Sequence, residues 1–277
     1  MGHAAGLLHL NRLMVMAILL SLPYQTARSQ MIVAHRGASH LAPENTLAAF
    51  NLAWEQGADA IEGDFYLTAD EHIVAIHDDN TKRTADAELQ VADSTLAQLR
   101  GLDVGRWKSR RYSGQRIPTL QEVLSTVPDN KKLFIEIKCG PEIVPHLKRV
   151  LSNTTLKPSQ TIVISFEESV ISAVKRKIPH VKAFWLTGYK KDNSTGNSSP
   201  RLDEILAILR RTGADGLDTQ ANRSVVDADF IQAIRKHGYE LHTWTINDPQ
   251  VARYYQRLGV DSITTDRPLY IRRRLER

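Results

Sequence analysis

Two side chains that can move protons and bind anions stand side by side near the start of this sequence. His35 and Arg36 come directly after the apolar run of residues 31–34, and Gly37 follows them. Histidine exchanges protons near neutral pH because its unperturbed pKa is about 6.5, and the arginine guanidinium makes planar, paired contacts to phosphate. The end of this run is therefore a candidate active site, although His35 taken alone also fits an ordinary core histidine.

Three carboxylates occupy two later apolar runs with the same spacing. Glu62 and Asp64 lie two residues apart, so in a strand both side chains project from one face and can converge on one point. Glu136 and Lys138 repeat this spacing and add a third carboxylate and a cation. One such pair alone is more often a solvent-facing strand face, but the third carboxylate favours a site. Oxygen ligands without a thiol indicate a hard divalent cation, Mg²⁺ or Ca²⁺, and do not distinguish the two.

The elements that must position these side chains alternate between β-branched runs and amphipathic stretches. Eight predicted strands cover residues 31–35, 60–68, 133–139, 161–166, 181–188, 214–220, 239–247 and 261–266. A first helix is predicted to begin at Pro43 and to stop at Gly57, and further helices cover residues 120–126, 143–152, 168–177, 202–211, 227–237 and 249–258. Eight βα units predict an α/β fold, a single (β/α)8 TIM barrel with a small insertion after the second strand. A doubly wound open sheet is the alternative, and the absence of GxGxxG after the first strand weighs against it.

The longest departure from this alternation is an excursion over residues 68–118. It includes an extra predicted strand at residues 73–79 and a basic segment at residues 102–118 without clear periodicity. Long βα loops of barrels carry function, so the excursion is expected to lie over one mouth of the barrel. A solvated surface loop is the alternative for residues 106–116.

Composition and charge limit the class of protein. The chain has 277 residues, of which 42% are hydrophobic and 24% charged, as in an ordinary globular protein. The formal charge is +5, but Arg12 and Arg28 lie in the first thirty residues, which contain no Asp or Glu, and removing these two charges leaves +3. That balance is too weak to indicate a nucleic-acid partner. Cys139 is the only cysteine, which excludes an internal disulfide and a CxxC metal site.

The N-terminal segment indicates export. Residues 13–22 read LMVMAILLSL, with Arg12 before them and ARSQ at residues 27–30. This pattern predicts a secretory signal peptide over residues 1–29, followed by a chain from 30 to 277 that is secreted or periplasmic. The apolar run is shorter than the roughly 20 residues of a transmembrane helix, so no stable membrane insertion is expected after cleavage. A cytoplasmic protein is the alternative if translation starts at Met31.

An ordered series of short motifs runs through the chain. HRG with PENT is followed by EGD and HD, by the stretch from Gly105 to Leu124 ending in IPTLQEVL, and then by IEIK, SF, TWTIN and TDRP. Each motif is weak alone, but the ordered series, which covers residues 32–268, resembles the glycerophosphodiester phosphodiesterase family within the PLC-like phosphodiesterase superfamily. One departure is Gly63, where many relatives carry a larger apolar residue; the position is expected to face outward from the barrel.

The resemblance implies a TIM-barrel hydrolase of lipid and glycerol metabolism that cleaves glycerophosphodiesters to an alcohol and glycerol 3-phosphate. Its cofactor would be one divalent cation, Mg²⁺ or Ca²⁺. The implied roles are catalytic acid and base for His35 and His77, metal ligands for Glu62, Asp64 and Glu136, and phosphate binding for Arg36 and Lys138. Which histidine is the acid stays open.

The chemistry implied by two histidines is a two-step reaction. One would remove a proton from the neighbouring glycerol hydroxyl while the other protonates the leaving alcohol, and water would then open the resulting cyclic phosphate. Trp244 is expected to pack against the glycerol carbons, with Phe166 as a weaker candidate. His242 shares a strand face with Trp244, which leaves a role inside the barrel open.

Three alternatives share parts of this pattern. A lysophospholipase D-like or phospholipase C-like phosphodiesterase would use the same barrel, and a catalytically inactive barrel that binds phosphoglycerol is the alternative outside enzymes. Retention of both histidines and all three carboxylates argues against the inactive barrel. The expected partner is a small-molecule glycerophosphodiester and not a nucleic acid, and neither the head group nor the oligomeric state is indicated.

Overall fold

A computed structural model describes residues 1–2, 30–191 and 198–276 of the chain. Its strands, in chain order, are β1 (Met31–Ala34), β2 (Ala60–Leu67), β3 (Ile73–Ala75), β4 (Lys132–Ile137), β5 (Thr161–Ser165), β6 (Lys182–Thr187), β7 (Lys190–Lys191), β8 (Ser198–Ser199), β9 (Gly216–Gln220), β10 (Glu240–Trp244) and β11 (Ser262–Thr265). The predicted signal peptide lies outside the described residues, apart from residues 1 and 2.

Eight of these strands close into a parallel barrel. The order around the barrel is β1, β2, β4, β5, β6, β9, β10 and β11, and β11 pairs again with β1. β3 is the exception, because it pairs antiparallel with the outer part of β2 and lies outside the closed ring. The predicted TIM barrel is therefore confirmed. The alternative of an open doubly wound sheet is wrong, because β1 pairs with both β2 and β11 and so closes the ring.

Helices follow most barrel strands and cover the outside of the ring. They are α1 (Leu47–Glu55), α2 (Leu96–Arg100), α3 (Leu120–Leu124), α4 (Val144–Ser152), α5 (Glu168–Lys177), α6 (Leu202–Thr212), α7 (Ala228–Lys236), α8 (Pro249–Leu258) and α9 (Pro268–Leu275). No helix among the described residues is long and apolar enough to cross a membrane.

The first helix begins later than the sequence pattern predicts. Thr46 is the N-cap of α1, and its Oγ1 accepts a hydrogen bond from the backbone N–H of Ala49. Pro43 to Asn45 instead form a turn in which Asn45 has a φ of 56°. The helix-start signals in PENT thus belong to a loop whose polar side chains point into the site described below.

Two apolar layers hold the barrel together. The larger one lies between the strands and the helices and includes Phe50 and Phe65. The smaller one fills the barrel interior and includes Phe134, Phe184 and Leu186. Because helices cover the outer face of the strands and side chains fill the inner one, the barrel is a packed core, and the chemistry of this fold lies at the carboxyl ends of the strands.

Gly63 faces outward from the barrel, and close packing there explains why the position carries a glycine. A Cβ atom at this position would lie 3.1 Å from Cζ of Phe50 and 3.2 Å from Cε2 of Phe65. Two phenylalanine rings thus occupy the space that a larger side chain would take. The glycine faces the helix layer, so it leaves the neighbouring inward carboxylates undisturbed.

The excursion of residues 68–118 forms a separate apolar cluster against β2 and β3. Ile76, Val91, Leu99 and Ile117 are buried in it, so these parts of the excursion are packed. None of residues 106–116 is buried, which agrees with the alternative of a solvated surface loop for that stretch. The predicted extra strand is shorter than residues 73–79, because pairing with β2 ends at Ala75.

Candidate active site at the carboxyl ends of the strands

The three predicted metal ligands converge inside the barrel mouth. Glu62 and Asp64 project from β2 and Glu136 from β4, and strand register places Asp64 directly beside Glu136. One carboxylate oxygen from each lies within 4.8 Å of the others. All three side chains are buried, at 2%, 0% and 8% exposure. Such a cluster requires positive charge nearby, because carboxylates at this spacing repel one another.

Part of that positive charge comes from Arg36 and Lys138. Arg36 Nε lies 3.1 Å from Asp64 Oδ2, and its backbone N–H donates to Glu62 Oε2 at 2.9 Å. Lys138 Nζ donates to Glu136 Oε1 at 2.7 Å and lies 3.5 Å from Asp64 Oδ1. The two predicted phosphate-binding cations therefore border the carboxylates in this structure.

The two cations do not fully offset the burial and mutual repulsion of the carboxylates, as the pKa values of these groups show. Burial, with repulsion from the two other carboxylates, raises the pKa of Glu62 well above its usual value. Burial and the charge of Asp64 raise the pKa of Glu136 to about 7. Burial acts in the same direction on Asp64, but Arg36 and Lys138 outweigh it and lower its pKa. Two of the three groups are thus held in an environment that disfavours their charge.

A divalent cation fits this set of donors. Glu62 Oε1 and Asp64 Oδ1 are fully buried and have no hydrogen-bond partner among the described residues. Oxygen atoms left without a donor in an otherwise bonded cluster are positioned as metal ligands, and an all-oxygen set suits Mg²⁺ or Ca²⁺. The buried acidic group is consistent with the predicted cation site.

Both predicted catalytic histidines line the same cavity, and each is held by a carboxylate. His35 Nδ1 lies 2.7 Å from Asp266 Oδ1, at the end of β11, and His77 Nδ1 lies 2.6 Å from Asp78 Oδ1. A neutral ring that donates from Nδ1 keeps its lone pair on Nε2, so each imidazole can accept a proton there. Burial is the main cause that lowers the pKa of His77.

A chain of ion pairs connects the two sides of the mouth. Arg83 donates to Asp78 Oδ2 at 2.7 Å and to both oxygens of Glu44 at 2.8 Å. Glu44 in turn accepts from Arg36 Nη1 at 3.0 Å. These contacts hold Arg36 and the partner of His77 in one network, and none of them was expected from the sequence pattern.

The backbone at the end of β1 requires a glycine. Arg36 has a φ of 55° and Gly37 a φ of 80°, both in the left-handed region. A Cβ on Gly37 would lie 2.5 Å from the backbone carbon of Ala49 in α1. The turn therefore aims His35 and Arg36 into the mouth only because Gly37 lets the chain pass close to the helix.

The cavity has a volume of about 270 Å³ and two unlike walls. One wall is polar and is formed by His35, His77, Arg36, Lys138, Glu62 and Glu136. Phe166 and Trp244 form part of the other, with their rings edge to face at a centroid distance of 5.7 Å. Trp244 thus lies at the cavity, as predicted, and Phe166 is 44% exposed beside it.

The structure brings all eight predicted site residues together, because seven line the cavity and Asp64 joins Glu62 and Glu136 in the carboxylate cluster. The side chains that the sequence reasoning missed are those that hold them: Glu44, Asn45, Asp78 and Asp266. Asn45 exchanges two hydrogen bonds with Asp64, donating from Nδ2 to Oδ2 at 2.8 Å and accepting at Oδ1 from the backbone N–H. Asp266 could have been found, because it follows the last strand just as His35 follows the first.

Together, the barrel and these side chains define a TIM-barrel hydrolase of phosphate esters. The sequence model of the glycerophosphoryl diester phosphodiesterase family matches residues 35–270, and the chain belongs to this family. It is therefore a phosphoric diester hydrolase with glycerophosphodiester phosphodiesterase activity.

Known relatives match over most of their length. A glycerophosphodiester phosphodiesterase of Caldanaerobacter subterraneus is 34% identical over 242 residues, which are 86% of this chain and 94% of that protein. One of Bacillus subtilis is 29% identical over 86% of this chain and 84% of its own length. The solved structure of an Oleispira antarctica phosphodiesterase in complex with its product sn-glycerol-3-phosphate matches with a TM-score of 0.79 and 28% identity, and covers 89% of this chain and 97% of that one.

Proposed function

We propose that this enzyme releases glycerol 3-phosphate from small glycerophosphodiesters by acid and base catalysis from His35 and His77, with a divalent cation bound by Glu62, Asp64 and Glu136. The observation that carries the proposal is the convergence of two carboxylate-backed imidazoles and an oxygen-only triad on one cavity. The product complex of the Oleispira antarctica enzyme supports glycerol 3-phosphate as the product.

Charge balance supports a cation together with an anionic substrate. Three carboxylates against Arg36 and Lys138 leave the polar wall with one net negative charge, and a phosphodiester adds a second. One divalent cation would neutralise the whole assembly, whereas a phosphodiester alone would enter against like charge. When bound, the cation would supply Lewis-acid stabilisation of the phosphoryl oxygens.

The residues of the chain divide the remaining work. Arg36 offers a planar pair of donors to phosphate, and Lys138 a point charge. One histidine, with Nδ1 bonded to its aspartate, removes a proton from the neighbouring glycerol hydroxyl at Nε2, and the other protonates the leaving alkoxide. A cyclic phosphate forms, and water opens it with the histidine roles exchanged.

The two carboxylate partners act by orienting the rings. Asp266 and Asp78 fix which nitrogen faces the cavity and stabilise the imidazolium that forms during proton transfer. Burial opposes the charge of Asp266, but hydrogen bonds from His35, Asn247 and Ser39 lower its pKa to about 2. Asp266 therefore stays ionised near neutral pH.

The test is hydrolysis of glycerophosphocholine by residues 30–277, with EDTA, Mg²⁺ and Ca²⁺ compared, alongside His35→Ala. Cation-dependent release of glycerol 3-phosphate that the substitution abolishes is the expected result. Release of a phosphorylated head group instead would contradict the proposal. A substrate whose neighbouring glycerol hydroxyl is replaced by hydrogen should not turn over, and its normal turnover would refute the cyclic intermediate in favour of direct attack by water.

We also propose that residues 1–29 are a signal peptide and that the enzyme acts outside the cytoplasm. The apolar run of residues 13–22, flanked by Arg12 and ARSQ, supports this. Mass spectrometry of the N-terminus after expression of the full chain tests it. A mature protein that begins near residue 30 is expected, and an intact leader in the purified protein would contradict export.

A further inference from the structure

A fourth carboxylate lines the cavity on the wall opposite the acidic triad. Asp218 lies in the middle of β9, among the apolar side chains Ile164, Phe166, Leu186 and Trp244 that also face the cavity. The residue is 1% exposed. Its Oδ1 atom is fully buried and has no hydrogen-bond partner in the described part of the chain. The polar wall across the cavity has Arg36 and Lys138, whereas no Lys or Arg of residues 30–191 or 198–276 forms an ion pair with Asp218.

The neighbours of Asp218 do not supply a donor. Strand register places it between Leu186 on β6 and His242 on β10. His242 uses Nδ1 toward Ser262 Oγ at 2.7 Å, and its ring stacks on Phe184 at a centroid distance of 4.4 Å. Burial raises the pKa of Asp218 to about 6, against a smaller opposite effect of His242. The fold therefore gains no hydrogen bond from this group and bears the cost of burying it.

We infer that Asp218 is a specificity-determining residue, whose carboxylate accepts a hydrogen bond from a hydroxyl or ammonium donor on the organic part of the substrate. This rests on the proposed function, which places the phosphate against Arg36 and Lys138. A diester held there extends its organic part across the cavity toward the apolar wall. Trp244 and Phe166 cover the carbon atoms, and among the described residues Asp218 is the one charged acceptor on that wall.

Two parts of the substrate carry suitable donors, and product analogues separate them. The donor is either a glycerol hydroxyl or a head-group ammonium. Inhibition constants for glycerol 3-phosphate, propyl phosphate and inorganic phosphate compare ligands with and without hydroxyls. KM values for glycerophosphoethanolamine and glycerophosphocholine compare head groups with and without N–H donors.

The variants are Asp218→Leu, which removes the acceptor, and Asp218→Asn, which keeps the shape. Thr243→Val is the control, because Thr243 is buried on the adjacent strand but alternates with His242 and Trp244 and so faces away from the cavity. If the donor is a glycerol hydroxyl, Asp218→Leu should raise the inhibition constant of glycerol 3-phosphate roughly ten- to a hundredfold, the range for a hydrogen bond to a charged group. The inhibition constants of propyl phosphate and inorganic phosphate should change by about twofold or less. If the donor is on the head group, Asp218→Leu should raise KM for glycerophosphoethanolamine by the same factor and leave KM for glycerophosphocholine unchanged.

Stability separates this role from a structural one. Asp218→Leu is expected to unfold at the same or a higher temperature than the wild type, because it replaces an unpaired buried carboxylate with an apolar group. A loss of stability larger than in Thr243→Val, or equal weakening of all phosphate ligands, would make Asp218 a structural residue and overturn the inference. Unchanged constants for every ligand in an active enzyme would overturn it as well. A wild type that neither binds glycerol 3-phosphate nor turns over any diester would instead overturn the proposed function, and this inference with it.

Discussion

Asp218 makes the stability of this protein depend on pH in an unusual direction. The carboxyl group has an ordinary pKa of 3.8 and a folded-state value of about 6. Between these two pH values the folded state keeps a proton that the unfolded state has lost, so stability falls as pH rises. Paired carboxylates act in the opposite direction. Asp218→Asn removes this contribution, and the variant should therefore gain stability relative to the wild type as pH rises from about 4 to about 6.

The size of the effect follows from the same two values. At about 1.4 kcal/mol per pH unit, the interval between 3.8 and about 6 corresponds to about 3 kcal/mol. Full burial of the side chain means that solvent screening does not reduce this figure substantially. His242 is the neighbouring side chain that acts on the pKa of Asp218 in the opposite sense, and its effect is smaller than that of burial. The difference between variant and wild type should level off about one pH unit below 3.8 and about one unit above the folded-state value of about 6.

Urea unfolding at intervals from pH 3.5 to pH 7.5, with EDTA present, measures the difference curve. Thr243→Val is the control, since it changes a buried polar side chain without removing a titratable group, and its difference curve should be flat. A flat curve for Asp218→Asn would refute the reasoning that the carboxylate is buried without a partner. A curve that falls with pH would show that a donor of the protein pairs with Asp218.

Three further predictions concern the site itself. Glu62→Gln should abolish the rise in unfolding temperature that Mg²⁺ or Ca²⁺ gives the wild type, a stabilisation of about 2.7 kcal/mol at a hundred times Kd; a rise that survives would place the cation elsewhere. His35→Asn and His77→Asn should each lower kcat by roughly 10²- to 10⁴-fold in steady-state assays while the inhibition constant of glycerol 3-phosphate stays within a few-fold, and unchanged kcat in either would remove that residue from proton transfer. Gly37→Ala should destabilise the protein by several kcal/mol more than Gly57→Ala in urea unfolding. Both residues have positive φ, but only a Cβ at Gly37 would meet backbone, at 2.5 Å. Equal losses of stability would mean that the close approach to α1 is unimportant.

Much of the fold could be predicted because its signals are local. Each barrel strand is a short β-branched run followed by an amphipathic stretch, and the eight predicted strands match the observed ones within a few residues. The error at Pro43 to Asn45 has a physical cause. Proline and an acidic residue before an apolar run are typical of a helix start, but here Glu44 bonds Arg36 and Arg83, and Asn45 bonds Asp64. Tertiary contacts outweigh the local preference.

The sequence could predict the site residues that carry the chemistry, but not the side chains that hold them in place. The spacing of Glu62 and Asp64 places two carboxylates on one face of a strand, which is a local property. The pairing of His35 with Asp266 joins residues 231 positions apart, and only closure of the barrel between β11 and β1 brings them together. Asp218 gave no signal, because one carboxylate in a short strand does not show whether it meets a donor.

The two walls of the cavity together indicate how a diester is oriented. Arg36 and Lys138 offset the carboxylates of the polar wall, so that wall can accept a phosphate once a cation is bound, whereas Asp218 on the apolar wall would repel it. A diester bound in the reverse orientation would place its negative charge beside Asp218 and its carbon atoms among ionised groups. Both errors cost free energy in a buried site. The unpaired carboxylate therefore acts against the wrong orientation as well as for the right one, which gives a reason for its presence in a barrel that would be more stable without it.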